Sequence, residues 1–193
     1  HALVAKILAP VLEQQATRKG RSGARTLDLV RGGIGQNVLS QWEQTPEGLV
    51  GTSRQPDLLA GITIGPGDFE IRARLRMEKQ KNSAASFFLD GNHFGFEGAK
   101  GTLFVNGPIF GKLKLLQPSP EVFPRESWIR FEATRRDGVV RFRINGTTLQ
   151  EAKDGNRAYS RFGFRPMRSR LVLADFSFQG TPGKERPSLT QAA

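Results

Sequence analysis

Cysteine is missing from the 193 residues of this chain, which rules out a disulfide framework, thiol catalysis and any Cys-ligated metal site. Histidine occurs only at His1 and His93, too few imidazoles for a His-based metal centre. Tyrosine occurs once, at Tyr159, and tryptophan twice, at Trp42 and Trp128. No apolar run reaches the ~20 residues that cross a bilayer as a helix; the stretch from Ala2 to Leu12 is short and interrupted by Lys6 and Pro10. Acidic charge is also sparse: 18 Asp and Glu against 29 Lys and Arg give a formal charge of +11. Such a field attracts nucleic acid, anionic membrane surfaces and acidic glycans. The arginines, however, are spread at alternate positions (Arg72, Arg74, Arg76; Arg141, Arg143), and no helix-turn-helix, zinc-finger or RNP-like pattern accompanies them. A generally basic solvated surface is expected, and no nucleic-acid interface.

What is present is a β-pattern. From Gly67 to Glu78, Phe69, Ile71, Ala73, Leu75 and Met77 alternate with Asp68, Glu70, Arg72, Arg74, Arg76 and Glu78. That period of two predicts a strand with one wet and one buried face. The following segment, Ser83 to Glu97, is apolar almost throughout up to Gly91, as a strand covered on both faces would be. Further strands are expected at 26–30, 37–43, 48–53, 58–64, 101–105, 112–116, 127–135, 138–145, 147–151, 160–165 and 170–179, divided by Gly, Pro, Asn and Asp turns. Asn145-Gly146 and Asp137-Gly138 predict tight hairpins that join Trp128 through Gln150 into a three-strand meander. Many short strands without a convincing central helix favour an all-β, antiparallel two-sheet sandwich of jelly-roll type.

The flanks read differently. Residues 1–25 are expected to hold a short N-terminal helix, kinked at Pro10, and a basic linker; 26–180 the sandwich; 181–193 a disordered tail rich in Pro and polar residues. Because the sequence begins with His1, its first residues read as a remnant downstream of a removed signal, or as foreign to the native chain.

The order of these signals resembles a known family. Trp42-Glu-Gln-Thr-Pro-Glu-Gly-Leu-Val-Gly51 opens it, Gly67-Asp-Phe-Glu-Ile-Arg72 follows, then the run from Trp128 to Gly146, and last Leu171-Val-Leu-Ala-Asp-Phe-Ser-Phe178. Over residues 37 to 180 this is similar to concanavalin A-like lectin/glucanase (laminin-G-like) jelly rolls, in the form found in bacterial 3-keto-disaccharide-hydrolase-type and sialidase-associated proteins. The resemblance implies a carbohydrate-recognising, lectin-like module of a secreted, periplasmic or cell-surface glycoside-processing protein. The glucanases of that superfamily carry a Glu-x-Asp-x-(x)-Glu strand, which this chain lacks. A retaining pair needs two carboxyl groups about 5 Å apart, and no spacing here recommends one. The Asp-box turns of sialidases are absent too. No catalytic residue is therefore assigned. The rival expectations are a 3-keto-glycoside hydrolase or lyase using a carboxylate and a bound metal in the concave groove of the sandwich, where a lectin-like module would also bind, and a structural spacer or anion-binding module.

Two segments are candidate contacts for a glycan, acidic ones included. In Asp90-Gly-Asn-His-Phe-Gly-Phe-Glu97, Phe96 could present an aromatic platform with Asp90, Asn92 and His93 as polar partners; a plain hairpin with Gly91-Asn92 as its turn is the alternative. A Ca²⁺ site of Asp, Asn and carbonyl oxygens near Asp90 stays open, with no other cofactor expected. In Phe162 to Arg170, Arg165, Arg168 and Arg170 could meet a sugar carboxylate or sulfate, against the alternative of a solvated loop. Trp42 and Trp128 are both expected in the core.

Overall fold

The structure, a computed structural model, describes residues 25–29, 38–39, 41–53, 55–78, 85–97 and 100–184. The described residues form 15 β-strands, numbered in chain order, and no α-helix. One antiparallel sheet has the order β13 (Thr147–Lys153), β12 (Val139–Ile144), β11 (Ile129–Arg136), β6 (Ile64–Glu78), β15 (Arg170–Pro182), β4 (Gly48–Thr52) and β3 (Glu43–Thr45). Its eighth strand, β1 (Arg25–Asp28), pairs with the far half of β15. The second sheet has seven strands: β10 (Gly111–Leu116), β9 (Thr102–Gly107), β8 (Asn92–Glu97), β7 (Ala85–Leu89), β14 (Phe162–Arg165), β5 (Leu58–Ala60) and β2 (Val38–Leu39). Among the described residues no helix is long and apolar enough to cross a membrane.

The alternation in β6 decides which way each sheet faces. Phe69, Ile71, Leu75 and Met77 are buried between the layers, and Asp68, Arg72 and Arg74 are exposed. Every residue of β7 is buried, as its unbroken apolar run requires. The interior is a phenylalanine cluster: the Phe87 ring lies 4.9 Å from Phe131 and 5.3 Å from Phe164, and Phe94 stacks on Phe142 at 5.1 Å. Each such ring contributes about 1.5–3 kcal/mol by leaving water. Asn145-Gly146 (φ 50° and 83°) and Asp137-Gly138 (φ 51° and 70°) make the two left-handed turns that their sequence predicts, and the meander follows.

Some expectations need correction. The 37–43 strand is two, β2 and β3, in different sheets. β15 runs on to Pro182, two residues into the expected tail, because Pro182 still lies opposite Ile64 of β6. The proposed helix at the N-terminus falls outside the described residues. Trp42 is in the core, its indole filling the side-chain space of Gly51 and donating to the Pro56 carbonyl at 2.9 Å. Trp128 is not: it sits half-buried on the outer face of the eight-stranded sheet, with the guanidinium groups of Arg74 and Arg76 each 4.9 Å from its ring. Cation–π contact with two arginines gives the indole a surface position that hydrophobicity alone would not predict.

The arginines of that outer face are matched with acids. Arg72 pairs with Glu70, Arg74 with Asp175 at 2.8 Å, Arg76 with Glu47 at 2.8 Å and Glu78 at 2.7 Å, and Arg141 with Glu151 at 2.6 Å. The stripe of basic residues is thus largely neutralised where it stands. One arginine is internal. Arg135 and Asp154 are both fully buried side chains, 2.8 Å apart. Arg135 also donates to the carbonyls of Gly65 (2.8 Å) and Gly67 (2.6 Å), and Tyr159 donates its hydroxyl to Asp154 at 2.8 Å. Burial, then the bond to Asp154, pushes the Tyr159 phenol well above its ordinary pKa, so it stays a donor.

Candidate functional site

The seven-stranded sheet turns its second face outward, and two cross-strand rows of side chains run over it. The first row is Arg165 on β14, Ser86 on β7, Gly95 on β8 and Phe104 on β9; the second is Gly163, Phe88, His93 and Asn106. Neighbouring strands are about 4.8 Å apart, so each row spans ~14 Å.

Phe104 stands apart from the other phenylalanines by its exposure. Of 14 phenylalanines, 12 are buried, and Phe110 packs against the core at 5.5 Å from Phe142. Phe104 stays part-exposed on the outside of β9 because its neighbours Leu103 and Val105 point inward. Its ring occupies the side-chain space of Gly95: a Cβ there would come within 1.9 Å of ring carbons. A glycine at an outward strand position thus lets an aromatic ring lie across the sheet.

Polar groups gather beside the ring. His93 shares a 3.0 Å hydrogen bond between Nδ1 and the Ser86 hydroxyl, and its ring is 6.1 Å from Phe88. Burial, and then the nearby charge of Arg165, push the imidazole below its ordinary pKa, leaving it neutral around pH 7. Arg165 keeps 41% of its side chain exposed, with Nε 3.9 Å from Asp57 Oδ1. Burial raises the Asp57 carboxyl, against the pull of Arg165 and Arg161. Asn106, opposite His93, is exposed. An apolar ring with a neutral imidazole and an amide in the adjoining row, and a guanidinium at the far end of its own row, can receive the C–H face and the hydroxyls of a sugar.

The residues singled out in the sequence divide sharply. His93 and Arg165 meet on this face. Asp90 is the first turn residue (φ 48°), and its Oδ1 accepts from Ser160 N (3.1 Å), Ser160 Oγ (2.8 Å) and Arg161 N (2.9 Å), so it pins the neighbouring loop. Asn92 lies in β8 rather than in the turn, is 2% exposed, and links Leu89 O and Ile109 N at 2.9 Å each. Phe96 is fully buried, 5.9 Å from Phe131, and cannot serve as a platform; its parity in β8 is inward. Arg168 is exposed in the β14–β15 turn at φ 55°. Arg170 belongs to the opposite layer, bound to Glu78 at 2.5 Å, so Arg165 and Arg170 do not converge. Among the described residues no three His, Cys, Asp or Glu side chains group as a metal site.

Sequence reasoning missed Phe104 and Asn106. The available signal was Gly95 between Phe94 and Phe96, an outward glycine in an apolar strand, together with the outward parity of Phe104.

No protein-family model and no curated protein matches the chain. Solved structures do. Carbohydrate-binding module CBM66 from Bacillus subtilis is similar at a TM-score of 0.56 and 12% identity, over 75% of this chain and 96% of that one. A β-glucanase of Bacillus licheniformis is similar at 0.55 and 11% identity, over 84% and 100%. The fold is the concanavalin A-like jelly roll. A Trypanosoma rangeli sialidase shares it at a TM-score of 0.57 and 9% identity over 83% of this chain, which spans only 31% of that protein. In this jelly roll the outer face of the seven-stranded sheet carries the Phe104 ring, and the outer face of the eight-stranded sheet carries the paired charges, with Trp128 engaged by Arg74 and Arg76.

Proposed function

We propose that the chain is a non-catalytic, lectin-like module that binds glycan across the outer face of the seven-stranded sheet. The observation that carries this is Phe104, the part-exposed phenylalanine of this face, held over Gly95 with His93 and Asn106 in the adjoining row. The sugar stacks on the Phe104 ring, His93 and Asn106 take hydroxyls, and Arg165 sits at the far end of the row. The carboxylates near this face do not pair as hydrolysis would need: Asp57, just before β5, is turned toward Arg165, and Glu97 stands on β8, three strands away. The fold's likeness to a carbohydrate-binding module supports the assignment, as does its likeness to the carbohydrate recognition domain of Emp47p, at a TM-score of 0.55 and 13% identity. A place in a secreted or cell-surface bacterial glycoside-processing protein, sialidase-like ones included, accords with this role, as does a preference for acidic glycans.

A glycan array with the purified chain tests it, followed by affinity measurement on the best binder. Phe104→Ala should weaken binding roughly two- to tenfold, the worth of one aromatic contact, and His93→Ala should weaken it too. Binding unchanged in both variants would refute the assignment.

A further inference from the structure

Three surface cavities differ in the charges that line them. One of about 530 Å³ has Lys153 beside Asp68 and Asp137. One of about 230 Å³ has Arg74 beside Asp28, Glu47 and Asp175, and Arg74 is already paired with Asp175. The third, of about 380 Å³, is lined by Lys100, Gly101, Thr102, Gln117, Pro118, Pro120, Phe123 and Arg125, two cations and no acid. Neither Lys100 nor Arg125 has an ion pair among the described residues, in contrast to the arginines of the eight-stranded sheet. Glu97, the cross-strand neighbour of Thr102, does not line the cavity.

The cleft is also built firmly. Val122 and Phe123 both donate their backbone N–H to Ser119 O at 3.0 Å, and Asn145 Nδ2 holds Val122 O at 3.1 Å. Phe123 is buried, 6.3 Å from Phe96, so the loop carrying Arg125 is anchored in the core. Two prolines stiffen the same wall. On the other wall Thr102 shares the outer side of β9 with Phe104, two residues along the strand, or roughly 7 Å.

From this placement we infer that the cleft is an anion subsite, which takes the carboxylate or sulfate of a sugar unit next to the one stacked on Phe104. Lys100 and Arg125 donate to the acid group, and Thr102 and Gln117 offer a hydroxyl and an amide to the ring. The inference deepens the glycan-binding proposal and rests on it. It makes the cleft, and not Arg165 with its Asp57 neighbour, the place where acidic glycans are chosen over neutral ones.

The test uses an array of oligosaccharides bearing uronate, sulfate or sialate groups, each beside its neutral parent, at fixed ionic strength. The wild-type chain should prefer an acidic member roughly ten- to a hundredfold. Lys100→Gln/Arg125→Gln should erase that preference and leave neutral binding and the melting temperature unchanged. Inorganic sulfate should displace the acidic ligand better than chloride does. If acidic and neutral members bind alike, or the preference survives the double substitution, the inference is overturned, whereas loss of all binding in Phe104→Ala would still uphold the platform. If acidic binding depends on Lys100 and Arg125 but not on Phe104, the cleft stands as an anion site and the platform falls. No binding by the wild-type chain overturns both.

Discussion

The Arg135→Met variant removes a guanidinium that no water reaches. Arg135 and Asp154 have fully buried side chains, and the guanidinium also serves the carbonyls of Gly65, Gly67 and Arg157. Methionine nearly keeps the length and apolar volume, so the loss isolates the charge. Asp154 would be left with Tyr159 OH and Asn156 N as donors, a buried carboxylate without its counter-charge. Breaking such a pair costs about 3–5 kcal/mol. For a domain of this size each kcal/mol lowers the melting temperature by ~2–4 °C, so a fall of roughly 6–20 °C is expected. Urea unfolding followed by tryptophan fluorescence and calorimetry supply the measurement. Arg135→Met/Asp154→Leu removes both charges and should be more stable than Arg135→Met alone by at least ~1 kcal/mol. A single variant costing under about 1 kcal/mol, or a double variant equal to the sum of its parts, would refute the view that this pair holds the β6, β11 and 154–159 segments together.

The remaining predictions concern the outward face and its supports. Gly95→Ala should displace Phe104, since the new methyl would meet the ring, and should weaken glycan binding as much as Phe104→Ala does while leaving circular dichroism unchanged. His93 should titrate below its ordinary value near 6.5 by NMR. Folding therefore favours its neutral form, and the stability that this supplies is lost as pH falls below the unfolded-state value; His93→Gln should flatten that slope, and a His93 titrating above 6.5 would contradict the burial argument. Asp90→Ala should cost about 1–3 kcal/mol through the donors it orphans in Ser160 and Arg161, and Asp90→Asn should recover part of it in chemical denaturation. Leu113 and Leu115, 63% and 62% exposed on the edge strand β10, should tolerate Ser with no loss of melting temperature and with less aggregation.

The strands were legible in the sequence because side-chain alternation is a local property. Phe69 through Met77 announce their inner face without reference to any other strand, and Asn145-Gly146 and Asp137-Gly138 announce their turns by needing positive φ. The candidate site was less legible because it depends on register between strands. Arg165 and Arg170 are close in sequence, yet the β14–β15 turn sends them to different sheets. Asp90 and Asn92 look like ligand donors, but their oxygens are consumed by the backbone of neighbouring loops, the usual fate of Asp and Asn beside a turn. Phe96 and Phe104 look alike in sequence, and only pairing of β8 with β9 shows that Phe96 enters the core while Phe104 covers Gly95. The +11 charge could not be located from composition, because much of the arginine on the eight-stranded sheet is paired with glutamate and aspartate from its own strand, from neighbouring strands and from the β3–β4 turn.

Amide chemical-shift mapping with the best array glycan tests the central claim most directly. The shifts should concentrate at Phe104, His93, Asn106 and Arg165, the part-exposed and exposed groups of the two rows on the seven-stranded sheet, and at Gly95 beneath the Phe104 ring. Shifts confined to Trp128 and the arginines of the other sheet, or to the cavity formed by Gly67, Asp68, Asp137 and Asn156, would contradict it.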